Sequence, residues 1–549
     1  MAPMQSAAHL LPDDLAALRS IIGQLTDRLS DSERECEAQA EKLQRREQHI
    51  EQLLETIELL RRKRFGASTE RVPDAQLKLF DEAELEALIA ELEAEAQARA
   101  GESAPAEPKK APKQKPVRRP LPGHLTRVER ILDLSDEEKA AMGEDWTFIG
   151  YDSSEQLAVI PRQYYVVEYK RAKYVPRNEE VAGAEAGVKI APRPAQIIPK
   201  SIAHSSLLAA IVTAKFVDAL PLYRQEKGFE REGIELSRQT MAALMIQLQQ
   251  PLAPVARAIQ GLLQQGRVVH IDETPLQVLK EPGRAAEQKS YMWVFRGGPP
   301  EAPVVWYRYA PSRSGEVPKQ FLFPVDTEPH GVDPPPAFYI QTDGYSAYHA
   351  VARIPAVLGH AGCWAHVRRK FVDAAKARKN PGAAHRMLAY IGQLYAVERA
   401  LRGADPATRK AVRDERSRPI LDTIKAWLDA KVGQVLPKGL LGQAIQYALG
   451  QWPLLTTFLE DGHLELDNNL AENAIRPFVI GRKNWLFSGS PRGAEASATL
   501  YSLIETAKAN GLEPWAYLNY LFERLPAAKT PAAVEALLPH NLKNDDLKL

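Results

Sequence analysis

The most extended pattern of apolar positions in the chain occupies residues 13–65. Counted in heptads from Leu15, eleven of the fourteen a and d positions up to Leu60 are apolar. An apolar seam sustained for this length is typical of a coiled coil, because each a and d side chain packs into a partner helix. We therefore predict an N-terminal leucine zipper that makes the chain a homodimer or higher homo-oligomer. A long amphipathic helix packed on its own chain is the alternative.

After the heptads, the composition changes in blocks. Residues 66–128 form a linker that is first acidic and then basic and proline-rich, ending in "PKKAPKQKPVRRPLPGHLTRV". Such a segment is extended, and it is either a solvated tether or an arm that contacts phosphates. Residues 129–200 alternate apolar and polar positions, as in "EQLAVIPRQYYVVEYK", which predicts a small strand-rich module.

Residues 201–265 have a helical pattern. "SLLAAIVTAKFVDAL" predicts one helix, "PLYRQEKGFEREGIEL" predicts a turn-bearing connection, and "SRQTMAALMIQLQ" predicts a second helix with Ser237 as its N-cap. Two helices around a short connection fit a helix-turn-helix unit, with Arg238 facing DNA. An ordinary helical hairpin has the same pattern, so both interpretations stay open.

Strand patterns dominate from residue 266. Three apolar runs, "VVHIDETPLQVL", "SYMWVFRGG" and "PVVWYRYAPSRSG", precede a short helix in "VPKQFLF" and a fourth strand in "AFYIQTDGYSAY". This order begins a ribonuclease-H-like sheet, in which the first and fourth strands are neighbours. We therefore predict a multidomain α+β chain. Its α/β catalytic domain covers residues 266–510 with a helical insertion at 371–460, and a helical tail follows at 511–549.

The composition limits the class of protein. Among 549 residues there are two cysteines, Cys36 and Cys363, which excludes a disulfide framework and a four-cysteine zinc site. The N-terminus lacks a basic n-region, and Lys215 and Asp218 interrupt the longest apolar stretch, so neither a signal peptide nor a membrane span is expected. The net charge of +1 leaves nucleic-acid binding open. We expect a soluble, cytoplasmic protein.

Three acidic residues are distinguished by their positions in this pattern. Asp272 lies within the first strand, Asp343 follows the fourth strand, and Glu472 lies about one turn into a helix that starts in "LDNNLAENAIRP". Singly, each has an ordinary explanation: a cap, a turn, or an ion pair between Glu472 and Arg476. Together, clustered carboxylates repel one another, and hard oxygen ligands suit Mg²⁺ or Mn²⁺. The set therefore predicts a site for two such ions.

Several longer motifs resemble those of the insertion sequence 66 family of transposases. They are "LLRRKRFGASTER", "HIDETP", "QTDGYSAY", "GHAGCWAHVRRKF" and "LDNNLAENAIRPFVIGRKNWLFSGSPRGAEASA". The resemblance covers nearly the whole chain and implies a bacterial DDE transposase in which Asp272, Asp343 and Glu472 are catalytic and bind the metal ions. It also implies double-stranded DNA as the partner, with small accessory proteins of the same element as further partners.

A zinc site could be expected at two places in the sequence. Cys363 and His366 resemble a Cys-x-x-His element that supports the active site in several DDE families, and His360 adds a third soft donor. Zinc would want a fourth ligand, so none is expected there. The family's paired Cys-x-x-Cys knuckles have no counterpart in residues 129–200, which makes that region a degenerate zinc-binding module.

The remaining candidates are auxiliary or basic residues. Asp467 is predicted to cap the helix that carries Glu472, with Arg476 as a further auxiliary residue one turn on. The predicted DNA contacts lie in the helical unit, in the basic tract after Cys363, and beyond Glu472. They are Arg238, Arg368, Arg369, Lys370, Arg482, Lys483 and Arg492.

The chemistry implied by these residues is two-metal cleavage of phosphodiester bonds at element ends, followed by transfer of the exposed 3′-hydroxyl to target DNA. Two rival functions share the same features. One is a structure-specific nuclease on the same fold, and the other is a non-catalytic DNA-binding regulator.

Overall fold

The structure is a computed structural model that describes residues 163–174, 189–323, 336–377 and 382–547, with six isolated positions between 23 and 34. The predicted coiled coil (apart from those positions), the linker and most of the predicted strand-rich module lie outside the described residues. The chain divides into two compact units, one of which is Ser103–Arg193. The other unit contains everything described from residue 194 onward.

The smaller unit contributes a single short ladder among its described residues. Strand β1 (Lys173–Tyr174) pairs antiparallel with β2 (Lys189–Ile190). The Arg171 side chain reinforces this pairing by donating to the carbonyl of Ala191 at 3.1 Å. Most of the predicted strand-rich module lies outside the described residues, so beyond this ladder it stays a prediction.

The larger unit is built on a five-stranded mixed sheet. Its strands are β3 (Val268–Gln277), β4 (Lys289–Gly297), β5 (Val304–Ala310), β6 (Phe338–Gln341) and β7 (Val357–Ala361). Their order across the sheet is β5-β4-β3-β6-β7, antiparallel among β3, β4 and β5 and parallel from β3 through β6 to β7. The prediction that the first and fourth strands are neighbours is confirmed.

Apolar and aromatic residues explain why these segments form central strands. β-Branched and aromatic side chains pack well on a pleated surface. In β3, Val269 and Ile271 are fully buried, and in β4 the successive residues Val294 and Phe295, which point to opposite faces, are fully buried too. The sheet is therefore covered on both faces, which makes it a rigid platform for any side chain at its edge.

Among the described residues from 194 onward, four helices precede the sheet. They are α1 (Ser205–Phe216), α2 (Leu222–Arg231), α3 (Arg238–Gln247) and α4 (Gln249–Leu263). The predicted cap is confirmed, since the Ser237 hydroxyl accepts the Thr240 N–H at 3.1 Å. The prediction of a mere connection between α1 and α3 is wrong, because it contains α2. That helix is held by Phe229 in a small apolar cluster and by Gln225, which donates to the carbonyls of Ile211 and Leu220.

A helical layer separates β6 from the helix that carries Glu472. It comprises α6 (His349–Ala352), α7 (Trp364–Lys376), α8 (Ala383–Ala400), α9 (Pro406–Val412), α10 (Arg418–Val432) and α11 (Leu440–Thr456), whereas α5 (Glu316–Leu322) lies between β5 and β6. Helices α7, α8, α10 and α11 enclose a second apolar core. The segment predicted as a helical insertion, 371–460, is thus mostly helical over its described residues, and its first helix, α7, starts at Trp364.

A buried arginine ties this insertion together. Arg413 lies in a π-helical turn, Arg413–Ser417, and is fully buried. Its guanidinium group pairs with Glu398 at 2.7 Å and donates to the carbonyls of Phe458, Asp461 and Leu464. Part of the basic composition of the insertion thus serves its own packing, because a buried arginine needs all these acceptors.

The last helices pack back onto the sheet. They are α12 (Asn469–Trp485), α13 (Pro491–Ala509), α14 (Pro514–Arg524) and α15 (Pro531–Glu535). Ser502 and Thr506 of α13 accept the backbone N–H groups of Tyr307 and Val305 in β5. Because the apolar face of α14 lies in the same core as the sheet, the C-terminal tail is an integral part of this unit. Among the described residues, no helix has the length and apolarity needed to cross a membrane.

Candidate active site

The two predicted aspartates lie at matching positions relative to two neighbouring strands, Asp272 within β3 and Asp343 two residues beyond the end of β6. His270 of β3 is paired with Gln341 of β6 in the parallel ladder. Asp272 and Asp343 each follow that pair by two residues, so the chain brings them to the same level of the sheet. Asp343 also forms a tight turn, since its carboxylate accepts the Tyr345 N–H at 2.9 Å.

The electrostatics of Asp272 show that the three predicted acids act on one another. The pKa of Asp272 is raised well above its ordinary value, chiefly by burial of the carboxyl group and then by the negative charges of Glu273, Asp343 and Glu472. Like charges that share a poorly solvated site disfavour ionisation of each member. The structure therefore brings together residues that are far apart in the sequence.

Glu273 is a fourth acid at this site, and sequence reasoning missed it. Its side chain is only 1% exposed and pairs with Arg313 at 2.6 Å, and it accepts a hydrogen bond from the Tyr348 hydroxyl. Burial and the charge of Asp343 raise the pKa of Glu273 to about 7, although Arg313 opposes the shift. Its position beside Asp272 in "HIDETP" was the available signal, but a strand alternates its side chains between faces.

Arg313 connects this acid to the turn after β6. Its guanidinium group lies 3.9 Å from the centre of the Tyr345 ring, an arrangement that allows a cation–π interaction. Its side chain remains 41% exposed. A fixed positive charge with solvent access therefore lies directly beside the acidic cluster.

Glu472 occupies a different environment from the sheet acids. It projects from the first turn of α12 and is 4% exposed. His366 Nδ1 lies 3.5 Å from Oε1, and an Arg369 nitrogen lies 3.8 Å from Oε2. Burial is the main cause of the raised pKa of Glu472, and Arg369 opposes it. Within the described residues neither carboxylate oxygen has a hydrogen-bond partner, because these contacts are too long or poorly directed.

The start of α12 differs by one residue from the prediction. The N-cap position is Asn468, so the assignment of Asp467 as the cap is wrong. Asp467 still organises the helix start, because its carboxylate accepts the Asn469 N–H at 3.1 Å. It also accepts a hydrogen bond from the Tyr395 hydroxyl at 2.9 Å. The acid thus fastens α12 to α8.

Asn468 has a role that the sequence did not reveal. It is 1% exposed, and its side chain hydrogen-bonds to His270 at 3.1 Å and to the carbonyl of Ile271 at 3.0 Å. Its backbone N–H points to the Cys363 sulfur at 3.2 Å. Burial lowers the pKa of His270 to about 4, so this histidine is neutral near pH 7. The two hydrogen bonds from the Asn468 side chain hold the start of α12 against β3.

A second potential ligand group adjoins the carboxylates. Among the described residues, the one set of three possible metal ligands whose atoms all lie within 4.8 Å of one another is Cys363, His366 and Glu472. His360, the other soft donor in the motif, instead bonds to Thr342 at 2.8 Å. Among the described residues, the three predicted carboxylates do not form so compact a set.

The basic residues at the start of α7 pack around the active site. The Arg368 guanidinium lies 5.0 Å from the Tyr395 ring, and Arg369 pairs with Glu472. Lys370 is exposed and lies 4.6 Å from the ring of Tyr447. These positions give Arg368 and Arg369 a role inside the site that the prediction of simple DNA contacts did not include.

The other predicted DNA contacts divide between buried and exposed positions. Arg482 donates to the Thr274 hydroxyl at 3.0 Å and to the carbonyl of Pro275, which fastens α12 to β3. Arg238, Lys483 and Arg492 are exposed, and Arg476 is half-buried on α12. Exposure leaves Arg238, Lys483 and Arg492 accessible to phosphate, whereas Arg482 has a structural role.

The fold and the site together define a class of protein. It is an enzyme-like chain with buried carboxylates at one level of a mixed sheet and a glutamate that approaches them from a helix. Family models match most of the chain. The model described as Transposase IS66 family matches residues 200–496, the IS66 C-terminal element matches 502–540, and the Transposase C of IS166 homeodomain matches 52–130. The chain belongs to the IS66 transposase family, and the predicted resemblance is confirmed.

Similar proteins in Sinorhizobium fredii (strain NBRC 101917 / NGR234) align with most of the chain. Uncharacterized protein y4qI is 33% identical, with 97% of this chain and 98% of that protein aligned. Uncharacterized protein y4jD is also 33% identical, over 78% of this chain and 82% of that protein. No solved structure shows a significant match.

Proposed function

We propose that this protein is a DDE-type DNA transposase that cleaves phosphodiester bonds at the ends of an insertion element and joins the 3′-hydroxyl ends to target DNA. The observation that carries the proposal is the approach of Asp343 and Glu472 to the buried Asp272: burial raises the pKa of Asp272, and the charges of Glu273, Asp343 and Glu472 raise it further. The sheet order β5-β4-β3-β6-β7 supports a ribonuclease-H-like catalytic domain, because it makes the strands that bear both aspartates neighbours.

Divalent ions fit this donor set. Asp272, Asp343 and Glu472 offer hard carboxylate oxygens, and both oxygens of Glu472 are buried without a hydrogen-bond partner within the described residues. Mg²⁺ and Mn²⁺ favour such ligands, and a cation relieves the repulsion among the acids. When bound, two such ions activate the attacking oxygen and stabilise the leaving oxygen.

The other residues of the chain position the reactants. Arg313 and Arg369 place positive charge beside the acids, where each can contact a phosphate of the bound DNA. Asn468 and Arg482 fix the helix that carries Glu472 against β3. Since Glu472 is on a fastened helix, its carboxylate has a defined reach toward the sheet.

DNA is the proposed partner outside the active site as well. Helices α1 to α4 present the exposed residue Arg238 at the start of α3, as a helix-turn-helix recognition helix would. Self-association through residues 13–65, and small accessory proteins of the same element, complete the proposed assembly in the bacterial cytoplasm. These parts of the proposal come from the sequence and the family.

The deciding experiment combines the full chain with labelled element-end DNA and Mg²⁺. We expect nicked and joined products from the native chain and no products from Asp272→Asn or Glu472→Gln. Glu495→Gln, which replaces an exposed acid on α13, is the matched control and should leave both products. Nicked products without joined ones would favour the nuclease, and DNA binding without either product would favour the regulator.

A second readout does not depend on activity. We expect Mn²⁺ to raise the thermal unfolding midpoint of the native chain, because a ligand that binds the folded state stabilises it. The increase should shrink in Asp272→Asn and persist in Glu495→Gln. An equal increase in all three proteins would show that the ions bind elsewhere.

A further inference from the structure

A group of soft ligands lies against the proposed catalytic acids. Cys363 ends the loop after β7 and is 2% exposed, His366 lies one turn into α7, and Glu472 reaches them from α12. Their ligand atoms lie within 4.8 Å of one another. Three elements of the fold therefore converge on one small volume.

The spacing of two of these atoms suits a tetrahedral metal ion. His366 Nδ1 and Glu472 Oε1 are 3.5 Å apart. Zinc binds nitrogen and oxygen ligands at roughly 2.0–2.2 Å, so two ligands at a tetrahedral angle are about 3.3–3.5 Å apart. The observed distance is therefore close to that of a preformed pair of zinc ligands.

The same atoms make only long contacts, since His366 Nδ1 lies 3.5 Å from Glu472 Oε1 and an Arg369 nitrogen lies 3.8 Å from Oε2. Within the described part of the chain, His366 Nδ1 and both Glu472 oxygens are buried and have no hydrogen-bond partner. Buried polar atoms are normally paired, because leaving them unpaired costs free energy. The neighbouring Cys363 sulfur accepts the Asn468 N–H at 3.2 Å, which holds it beside the start of α12.

We propose that Cys363, His366 and Glu472 form a binding site for one thiophilic divalent ion such as Zn²⁺, and that occupation of this site withdraws Glu472 from Asp272 and Asp343. The inhibitory part rests on the proposed transposase function, and the binding part does not. Binding forms a metal–sulfur bond and releases the Cys363 thiol proton to solvent, with water as the fourth ligand.

The donor chemistry explains how the two sites differ. Thiolate and imidazole select Zn²⁺ or Cd²⁺, whereas the all-carboxylate set suits Mg²⁺ or Mn²⁺. Glu472 belongs to both sets, so it serves one at a time. No zinc was predicted at this motif because His360, Cys363 and His366 lack a fourth ligand. In the structure His360 bonds to Thr342, Glu472 joins Cys363 and His366, and water would be the fourth ligand.

The binding test uses Co²⁺ as a probe, since a tetrahedral cobalt ion with a thiolate ligand absorbs visible light. The full chain carries Cys36→Ser, so that Cys363 is its only cysteine. We expect one equivalent of Co²⁺ to give the thiolate band, and Zn²⁺ to displace it. The band should vanish in Cys363→Ser and persist in Asp272→Asn, which removes catalysis without touching the soft ligands. No band in the starting protein, or a band that survives Cys363→Ser, would overturn the proposal.

The inhibition test compares cleavage in Mg²⁺ with and without one equivalent of Zn²⁺. We expect at least a tenfold loss in the chain that retains Cys363 and less than a twofold loss in Cys363→Ser. His366→Asn is a second variant in case Cys363→Ser does not fold, which circular dichroism would reveal. A cobalt band without zinc inhibition would contradict the proposal that metal binding withdraws Glu472 from Asp272 and Asp343. Absence of cleavage in Mg²⁺ alone would contradict the proposed function and leave the metal site standing.

Discussion

The acidic site has two halves, one on the sheet and one on the helices α7 and α12, and the two accommodate buried charge in different ways. On the sheet, burial and the charges of Glu273, Asp343 and Glu472 raise the pKa of Asp272, and Arg313 compensates Glu273. On the helical side, Glu472 lies beside His366 and Arg369 of α7. The sheet thus concentrates negative charge, and the helices supply positive charge and soft donors. This difference makes Glu472 the acid that can change partners.

The largest expected effect comes from replacing an acid of either half, because both halves are proposed to bind the same metal ions. Asp272→Asn, Asp343→Asn and Glu472→Gln should each reduce end cleavage by at least about 10³-fold, because loss of a metal ligand removes several kcal/mol of transition-state stabilisation. End binding, measured by gel shift, should remain nearly unchanged. Glu472→Asp should also fail, since its shorter side chain withdraws the carboxylate. Activity retained in Glu472→Gln would assign catalysis to the sheet half alone.

Asn468→Ala tests how firmly the halves are joined. The change leaves His270 and the carbonyl of Ile271 without their buried partner, and we expect it to lower the free energy of unfolding by about 3 kcal/mol. Thermal or urea unfolding measures this loss. Asn473→Ala is the matched control, because this exposed residue of α12 should change stability little. Equal stability of the two variants would mean that α12 is held by its apolar face.

Glu273→Gln tests the charge concentrated on the sheet. The pKa of Glu273 is about 7 in the folded protein against an ordinary 4.5. Folding therefore favours its protonated form, so this contribution is present below pH 4.5 and is lost as the pH rises through 7. In chelator, the native chain should lose about 2 kcal/mol more across this window than Glu273→Gln. Parallel curves of unfolding midpoint against pH would contradict this.

Arg482→Gln tests whether Arg482, which was predicted to contact DNA, instead holds α12 against β3. We expect it to lower the free energy of unfolding by about 2 kcal/mol, because it removes bonds to Thr274 and the carbonyl of Pro275. The salt dependence of DNA affinity should stay unchanged. Lys483→Gln, at the exposed neighbouring position, should show the reverse, with a slope reduced by about 1. A reduced slope in Arg482→Gln would restore its role as a phosphate contact.

The smallest expected effects concern the support of Glu472. Tyr395→Phe removes one hydrogen bond to Asp467 and should cost about 1 kcal/mol of stability. Asp467→Asn retains an oxygen for the Asn469 N–H, so much of the cleavage activity should survive, within about tenfold of the native chain. If Asp467→Asn were inactive, Asp467 rather than Glu472 would be the catalytic acid.

Local patterns in the sequence were sufficient for the strands and for one cap. Alternating β-branched and aromatic residues predicted β3 to β6, and Ser237 predicted the start of α3, because these preferences act within a few residues. Helix α2 was missed because "LYRQEKGFER" is mostly polar and contains Gly228. Its stability depends on Phe229 and Gln225, whose contacts are made with other segments.

By itself, the sequence determined the family and predicted the three acids, since "HIDETP", "QTDGYSAY" and "LDNNLAENAIRP" each place one acid in a recognisable motif. Only the tertiary structure decided which groups surround them. Glu273 joined the site because Asp343 and Tyr348 approach it, and Cys363 and His366 met Glu472 because α7 packs against the start of α12. Periodicity reports on a residue's own helix or strand, whereas a pKa or a ligand set depends on charges and atoms that distant segments bring within a few ångströms.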